Sequence, residues 1–487
     1  MADTGEGNGE FVRHLMDVPL DLLSRIFAQL ELRDISRLDC VCHTLRCSAA
    51  IVDALRTRAA RAGRSVPAEL REGELSWTQL LVWEERAASI TRSPIAAGVY
   101  HWLMVDHKGA LHVCGAEEEE DCAGTIHFSA PGVLGLGRAR AGGREREPIP
   151  VPALTGVRIV SVSAGAGHNL ACCADGAAFA FGSGADGRLG LGDRHTRFEP
   201  TRVDALVNQT VVLVAAGACH SLFLNASGAV YACGAGWWGR LGLGDERARL
   251  VPERLDIGGE HVAAIAAGAD HSLALSRSGD VWAWGHALYG QLGLGAERNP
   301  QLVPRGLGAR VPRMRAVSAG GAHSLLLAHD GGVFACGAGR FGQLGLGHWE
   351  GSTTPAPMCG VAGASSVCAG ADHSLVVLHD GTVLAAGRGA IGALGLGSKG
   401  NQCTPTPVSS LRVAVRVAHA AAGVGLSLAI GGFRDGIFDV PTAEPRSDSA
   451  PTGGAFVWGV GGEQQALAMQ QGLAEHFSPT FVARYAC

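Results

Sequence analysis

The chain has 487 residues, of which 71 are glycine, about twice the usual share of about 7%. Hydrophobic residues make up 47% and charged residues 17%, which excludes a chain too polar to bury a core. The glycines do not recur at every third position, so collagen is excluded as well. A formal net charge of −5 gives no electrostatic reason to expect a nucleic-acid partner.

The first ninety residues have the pattern of short amphipathic helices. Over residues 18–30 the apolar positions fall on one helical face, and Pro19 suits the first turn. A second short helix can begin at Asp34, and a further one opens with the capping-box pattern at Ser76. Helices this short rarely fold alone, which favours a docking element.

One motif, Ala-Gly-x-x-His, recurs through the rest of the chain, and its seventh copy is degenerate. The first interval is 67 residues and the later ones are 50 to 53. The aligned positions are His101, His168, His220, His271, His323, His373 and Leu426. Each copy carries four short runs of β-forming residues between Gly, Asp and Ser turns, which is the content of one propeller blade. The sequence therefore predicts an all-β seven-bladed β-propeller.

A proline-led segment suggests how the ring closes. Such a segment, for example Pro200–Val203, precedes the Ala-Gly turn in copies two to six, but none precedes the first copy. A matching segment, Pro479–Val482, lies near the C-terminus. We expect this C-terminal strand to complete the first blade.

The repeat resembles a known family. Ala-Gly-x-x-His-Ser-Leu is followed by Gly-x-Val-Tyr/Trp-x-Trp/Cys-Gly and then by Gly-Gln-Leu-Gly-Leu-Gly, a pattern that resembles the regulator-of-chromosome-condensation (RCC) repeat. The resemblance runs from Ile95 to the end of the chain. It implies a seven-bladed propeller, a fold used by GTPase exchange factors, a plant UV-B photoreceptor and many binding modules. Fold alone does not choose among these functions.

Residues 17–50 resemble an F-box. The resemblance implies binding to the Skp-type adaptor of a cullin–RING ubiquitin ligase, and apolar anchors on an amphipathic helix suit a hydrophobic groove. The expected adaptor-binding residues are Pro19, Leu20, Leu22, Leu23, Ile26, Phe27, Leu30, Ile35, Leu38, Val41 and Cys42. The predicted domains are a disordered N-terminus (1–15), the F-box (16–50), a helical linker (51–92) and the RCC-type propeller (93–487).

Two repeated features imitate catalytic motifs. Four loops match G-x-G-x-x-G, but each is followed by another glycine-rich turn instead of the helix that would hold a pyrophosphate. Six equivalent histidines fit a structural role, and we expect each to bond the turn of its own blade. No catalytic residue, metal or cofactor is predicted, and the chain is not expected to be an enzyme.

One face of the propeller is the candidate partner-binding surface. If each blade is an antiparallel meander, the glycine loops share a face with the Ala-Gly-x-x-His turns. Aromatic and arginine side chains are the preferred anchors of protein interfaces. The candidates on this face are Tyr100, Trp237, Arg247, Arg249, Arg298 and Trp349. Trp238 aligns with Tyr289 and Phe341 and is predicted to be a core side chain.

The predicted function is substrate recognition in an SCF-type cullin–RING ubiquitin ligase, in which the F-box binds the Skp-type adaptor and the propeller binds an unidentified target protein. Two alternatives remain open. Insertions at Glu117–Glu147 and Phe433–Gly453 leave room for exchange or regulation of a small GTPase, and the chain could equally be a protein-binding scaffold outside any ligase. No signal or membrane-spanning segment is recognised, so we expect a cytoplasmic or nuclear protein without a membrane partner.

Overall fold

The computed structural model describes residues 94–106, 108–120, 126–390, 392–409, 411, 415–433 and 454–459. The chain divides into two units, Met1–Ser89 and Ile90–Cys487, and all described residues belong to the second. The predicted F-box (16–50) and helical linker (51–92) therefore lie outside the described residues, as does the segment Pro479–Val482.

Six four-stranded antiparallel sheets, here blades 1 to 6, follow one another along the chain. Consecutive strands pair as a meander, with the first strand of each blade innermost and the fourth outermost. Blade 1 consists of β1 Ile95–Ala97, β2 His101–Val105, β3 Leu111–Ala116 and, after an inserted ribbon of β4 Glu118–Glu120 and β5 Ile126–Ser129, β6 Arg144–Pro150. Blades 2 and 3 consist of β7 Ile159–Ala164, β8 His168–Cys173, β9 Ala178–Gly182 and β10 Arg197–Arg202, and of β11 Val211–Ala216, β12 His220–Asn225, β13 Val230–Gly234 and β14 Arg249–Arg254.

The remaining blades repeat this arrangement. Blades 4, 5 and 6 consist of β15 Val262–Ala267, β16 His271–Ser276, β17 Val281–Gly285 and β18 Gln301–Gly306; of β19 Met314–Ala319, β20 His323–Ala328, β21 Val333–Gly337 and β22 Ser352–Pro357; and of β23 Ala364–Ala369, β24 His373–Leu378, β25 Val383–Gly387 and β26 Gln402–Pro407. A three-stranded sheet of β27 Val415–Ala422, β28 Leu426–Phe433 and β29 Gly454–Gly459 follows. Short 3₁₀ helices occur at Arg138–Arg140, Pro152–Leu154, Ala185–Gly187, Asp204–Leu206, Trp237–Gly239 and Gly308–Arg310.

The innermost strands form a closed ring. Strands β1, β7, β11, β15, β19, β23 and β27 contact one another in this order, and β27 contacts β1. They enclose a central cavity of about 210 Å³ whose lining is rich in alanine. The apolar core lies between blades, where for example Leu222 of blade 3 and Trp284 of blade 4 are fully buried in one cluster.

The predicted fold class, a seven-bladed propeller preceded by a small all-α F-box domain, is wrong. The structure is a six-bladed propeller whose ring is completed by the three-stranded sheet, and no α-helical domain is present among the residues described. The seventh copy departs from the pattern because Leu426 replaces the histidine and residues 434–453 interrupt it between β28 and β29. Counting copies of the turn motif therefore overestimated the number of complete blades.

The expected closure of blade 1 by a C-terminal strand is also wrong. Strand β6 pairs with β3 and fills the outermost place of blade 1. The proline-led segment is the last strand of its own copy, since β10, with Pro200, pairs with β9 of the same blade. Proline suits this place because an outermost strand has one edge that needs no backbone donor.

Candidate protein-binding surface

The two ends of each blade carry different connections. The turn between the first two strands and the loop between the last two lie at one end, and in blade 3 the Ala235 N–H donates to the Cys219 carbonyl at 2.9 Å across them. We call this end the loop face. The opposite face carries the turns between the second and third strands and the connections to the next blade. The meander therefore confirms that the glycine loops and the Ala-Gly-x-x-His turns share a face.

All six candidate residues lie at the loop face. Trp237 is 54% exposed and Trp349 is 48% exposed. Arg247 and Arg298 are exposed and Tyr100 is half-buried. The six residues belong to blades 1, 3, 4 and 5, so the structure does not bring them together into one site.

Arg249 is held by its own blade. Its Nη2 lies 3.0 Å from Asp245, its Nε lies 2.8 Å from Glu253, and its Nη1 donates to the Arg247 carbonyl at 3.0 Å. The hydrogen bond that Arg249 donates to Asp245 raises the pKa of its guanidinium most, and the one that it donates to Glu253 raises it further. A partner would have to displace them, so Arg249 is a poorer anchor than Arg247.

The interpretation of Trp238 as a core residue is wrong. Trp238 is 46% exposed, and in blade 4 the equivalent pair Leu288 and Tyr289 is 45% and 53% exposed. The His286 ring contacts both aromatic residues: its centre lies 5.1 Å from the centre of the Trp238 ring and 5.8 Å from the centre of the Tyr289 ring. We call Trp237, Trp238, Leu288 and Tyr289 the aromatic surface. The repeated apolar pair directly before a glycine was the sequence signal that could have revealed it.

The backbone explains why these side chains face solvent. The turn Trp237–Gly239 packs against β18 of blade 4, and Gly239 has a φ of 72°. A Cβ on Gly239 would lie 2.7 Å from the Leu302 Cα. Backbone thus occupies the space at the junction between blades, and the two tryptophan side chains are left outside.

A buried arginine supports this turn. Arg240 is 2% exposed, and its Nε donates to the Trp237 carbonyl at 3.0 Å. Its Nη2 lies 2.8 Å from Asp270 of blade 4, and its Cζ lies 5.7 Å from the centre of the Trp237 ring. Arg240 therefore supports the turn from its buried side and connects it to blade 4. Sequence reasoning did not identify Arg240.

Two arginines stack on an aromatic ring at the junction of blades 5 and 6. The Cζ atoms of Arg340 and Arg388 lie 4.5 Å and 5.0 Å from the centre of the Phe341 ring. Arg388 also lies 3.3 Å from Asp372. Guanidinium groups over an aromatic ring are a favourable electrostatic contact.

The six repeated histidines link neighbouring blades. His220 Nε2 lies 2.9 Å from Ser272 Oγ, and Ser272 Oγ donates to the Arg240 carbonyl at 2.9 Å. Because the serine proton is used in that bond, the histidine Nε2–H is the donor to the serine. In blade 1 the acceptor is Asn169 Oδ1 of blade 2. The expectation that each histidine bonds its own blade is therefore corrected: the bond crosses to the next blade.

Burial keeps these histidines neutral. Desolvation lowers the pKa of His101 and His373 from the ordinary value of 6.5 to about 4. It lowers the pKa of His168, His271 and His323 to about 3. The pKa of His220 is lowered well below 6.5, mainly by burial. A recurring, buried and neutral imidazole with a fixed partner fits a structural role.

The glycine-rich loops are packing elements. Gly187, in the first loop that matches G-x-G-x-x-G, has a φ of 79°, and a Cβ there would lie 2.7 Å from the Leu250 Cα of blade 3. Glycine is needed for this backbone approach. In the part of the chain that the structure covers, no three His, Cys, Asp or Glu side chains are placed to hold a metal ion, and no helix is long and apolar enough to cross a bilayer.

The fold is a β-propeller, and the loops of its successive blades lie together on one face. Residues 78–429 match the RCC1-like domain family, and the chain belongs to this family. The RCC-type part of the resemblance is thereby confirmed. No F-box domain is found, so residues 16–50 stay a prediction from the sequence.

The relatives share only parts of their length with this chain. It is 36% identical to the ultraviolet-B receptor UVR8 of Arabidopsis thaliana over 197 residues, which is 40% of this chain and 44% of the relative. It is 34% identical to the E3 ubiquitin-protein ligase HERC2 of Homo sapiens over 212 residues, 42% of this chain and 4% of the relative. The chain thus spans less than half the length of each of these two curated relatives.

Two solved structures resemble the propeller. Human WBSCR16 matches with a TM-score of 0.58 and 26% identity over 68% of this chain and 84% of that one. Prp20p from Saccharomyces cerevisiae matches with a TM-score of 0.59 and 24% identity over 69% of this chain and 81% of that one. The likeness to Prp20p shows the fold alone.

Proposed function

We propose that this chain is a protein-binding regulator or scaffold that recruits a cytoplasmic or nuclear partner and carries out no chemistry of its own. The partner contacts the loop face at blades 3 and 4. The observation that carries the proposal is the aromatic surface, where four large apolar side chains are about half exposed. Contiguous exposed apolar side chains mark interaction sites, and tryptophan and tyrosine dominate binding energy at protein interfaces.

The family supports protein binding in general terms. The solved structure of Prp20p is described with its binding properties to Gsp1p and histones. The shared fold can therefore present a face to other proteins. The aromatic surface is the part of this chain that suits such a role best, because it holds three of the four exposed large aromatic residues among those described, and the fourth is Trp349 of blade 5.

The test compares partners of the full chain with and without the aromatic surface. We expect the double variant Trp237→Ala/Trp238→Ala to lose proteins that co-purify with the wild type, at unchanged thermal stability. Val207→Ala is the matched control, because Val207 is 55% exposed and lies on the opposite face, next to Asp204–Leu206. The same set of partners for wild type and double variant would contradict the proposal.

A second candidate function rests on the sequence of residues 17–50. If these residues bind a Skp-type adaptor and through it a cullin complex, the chain is the substrate receptor of a ubiquitin ligase. The full chain should then bind the purified adaptor, and Ile26→Asp should abolish binding while Trp237→Ala/Trp238→Ala leaves it intact. No binding by the wild type would exclude the ligase function without touching the proposal for the propeller.

Regulation of a small GTPase is a third outcome that can be separated. The full chain would be added to small GTPases loaded with fluorescent GDP. Faster release that disappears in Trp237→Ala/Trp238→Ala identifies a regulator that acts through the aromatic surface. Unchanged release, with partners still lost in the double variant, identifies a scaffold.

A further inference from the structure

One position is equivalent in four successive blades and carries two residue types. Arg188 and Arg240 occupy it in blades 2 and 3, and Gln291 and Gln343 occupy it in blades 4 and 5. The backbone is held alike throughout, since the carbonyl at this position accepts a serine hydroxyl of the next blade. The side chain is therefore the variable that distinguishes the loops.

In blades 2 and 3 the arginine side chain donates a hydrogen bond to a backbone carbonyl of its own loop. Arg240 Nε donates to the Trp237 carbonyl at 3.0 Å, and Arg188 Nε donates to the Ala185 carbonyl at 2.9 Å. The next residue along the chain is left-handed in both loops, with a φ of 62° at Trp238 and 57° at Asp186. These are the two non-glycine residues with positive φ in the part of the chain that the structure describes.

In blades 4 and 5 the glutamine side chain accepts a hydrogen bond from a backbone N–H group of its own loop. Gln291 Oε1 accepts from the Tyr289 N–H at 3.0 Å, and Gln343 Oε1 accepts from the Phe341 N–H at 3.0 Å. Tyr289 and Phe341 hold the place of Trp238 in their loops. Neither has a positive φ.

The two arrangements use opposite ends of the same peptide group. The carbonyl of Trp237 and the N–H of Trp238 belong to one trans peptide and point in opposite directions. Arginine can only donate hydrogen bonds, whereas the glutamine Oε1 accepts them. Arginine therefore selects the orientation with the carbonyl inward, and glutamine selects the orientation with the N–H inward.

We propose that Arg240 is a positioning residue that sets the orientation of the Trp237–Trp238 peptide and thereby the direction in which Trp238 presents its ring to a partner. The inference rests on the proposed function for its biological consequence, but not for its structural content. Asp270 at 2.8 Å and the Ala269 carbonyl at 3.4 Å hold the other end of the guanidinium on blade 4. The aromatic surface is thus assembled across two blades before any partner arrives.

The structural test uses the full chain labelled with 5-fluorotryptophan, with fluorine resonances assigned from Trp237→Phe and Trp238→Phe. We expect Arg240→Gln to shift the resonances of both tryptophans. The matched control is Arg188→Gln, which removes the same kind of bond from a loop that carries Ala185 and Asp186 instead of tryptophans. It should lower the thermal midpoint by a similar amount and leave both resonances in place.

Unmoved tryptophan resonances in a folded Arg240→Gln chain would overturn the inference. If that variant does not fold, the reverse change Gln291→Arg is measured in its place, in a full chain labelled with fluorotyrosine. It should draw in the Leu288 carbonyl and shift the Tyr289 resonance, and an unshifted resonance overturns the inference.

Partner retention separates this inference from the proposed function. Arg240→Gln should weaken retention about tenfold and Arg188→Gln should not, as expected when a central aromatic anchor is misdirected. Shifted resonances with full retention support the positioning role of Arg240 and contradict the aromatic surface as the binding site. Unshifted resonances with partners lost in Trp237→Ala/Trp238→Ala contradict the positioning role alone.

Discussion

At the scale of single residues, the histidine and the serine of the repeat bond between blades. His271 Nε2 lies 2.8 Å from Ser324 Oγ, and Ser324 Oγ donates to the Gln291 carbonyl at 2.7 Å. The Nδ1 atom of His271 has no hydrogen-bond partner among the residues described. A proton added there would place a charge in a fully buried site without an acceptor, which is costly. The same arrangement recurs at most of the other blade junctions.

The buried histidines make stability depend on pH. Their pKa values in the folded chain, about 3 to 4, lie below the ordinary value of 6.5 that applies when the chain is unfolded. The unfolded state therefore binds more protons below pH 6.5, and the stabilisation present above that pH is lost as the pH falls. As the pH falls from about 6 to about 4, protonation linked to each buried histidine should lower the free energy of unfolding by about 1.4 kcal/mol per pH unit. Urea denaturation at several pH values measures this.

One histidine variant tests this dependence, and a variant without a titratable group is its control. His271→Gln should flatten the pH dependence by roughly one proton, because one buried site is removed. Val207→Ala changes an exposed side chain that carries no titratable group, so it should leave the slope unchanged. Equal slopes for the wild type and His271→Gln would show that the buried histidine does not control acid stability.

At the scale of the loop, glycine allows the turn Trp237–Gly239 to reach the next blade. Gly239→Ala adds both a strained φ and a contact at 2.7 Å with the Leu302 Cα. Gly259 also has a positive φ, 78°, but a Cβ there would meet nothing within 4 Å. Gly259→Ala should therefore cost about 1–2 kcal/mol of stability for the backbone alone, and Gly239→Ala should cost clearly more. Denaturant titration gives both values, and equal costs would contradict the close packing of this loop on blade 4.

The sequence allowed some of these elements to be predicted and not others. Strand order within a blade and the shared loop face follow from regular turn spacing, so they could be read from the copies. The exposure of Trp238 was missed although the apolar pair before a glycine pointed to it, because a large aromatic side chain is usually buried and because its left-handed backbone depends on Arg240, two residues away. The partner of the histidine lies 51 to 54 residues further on in blades 2 to 6 and 68 residues further on in blade 1, so it becomes visible only when the blades are placed side by side.

At the scale of the whole molecule, the number of blades was the main error. Among the residues described, six copies form complete four-stranded blades, and the last copy supplies three strands that contact blades 1 and 6. A turn motif marks only the inner hairpin of a blade, so counting it does not count outer strands. The ring nevertheless closes, because β27 contacts both β1 and β23.

The same ring explains how function can reside in one sector. Blades share inner strands, histidines and glycine turns, and these features build the scaffold. Blades 3 and 4 differ by carrying Trp237, Trp238, Leu288 and Tyr289 on the loop face. Because the scaffold is repeated and the aromatic surface is not, we infer that recognition belongs to the part that breaks the repeat.

The most direct test of binding at the aromatic surface places a photo-crosslinking amino acid at position 237 of the full chain in living cells. Position 207, equally exposed at 55% against 54% and on the opposite face, is the control. If the aromatic surface binds a partner, position 237 should give a defined set of protein adducts that falls about tenfold when Arg240→Gln is added, and position 207 should give no such set. Identical adducts from both positions, or none from position 237, would contradict it.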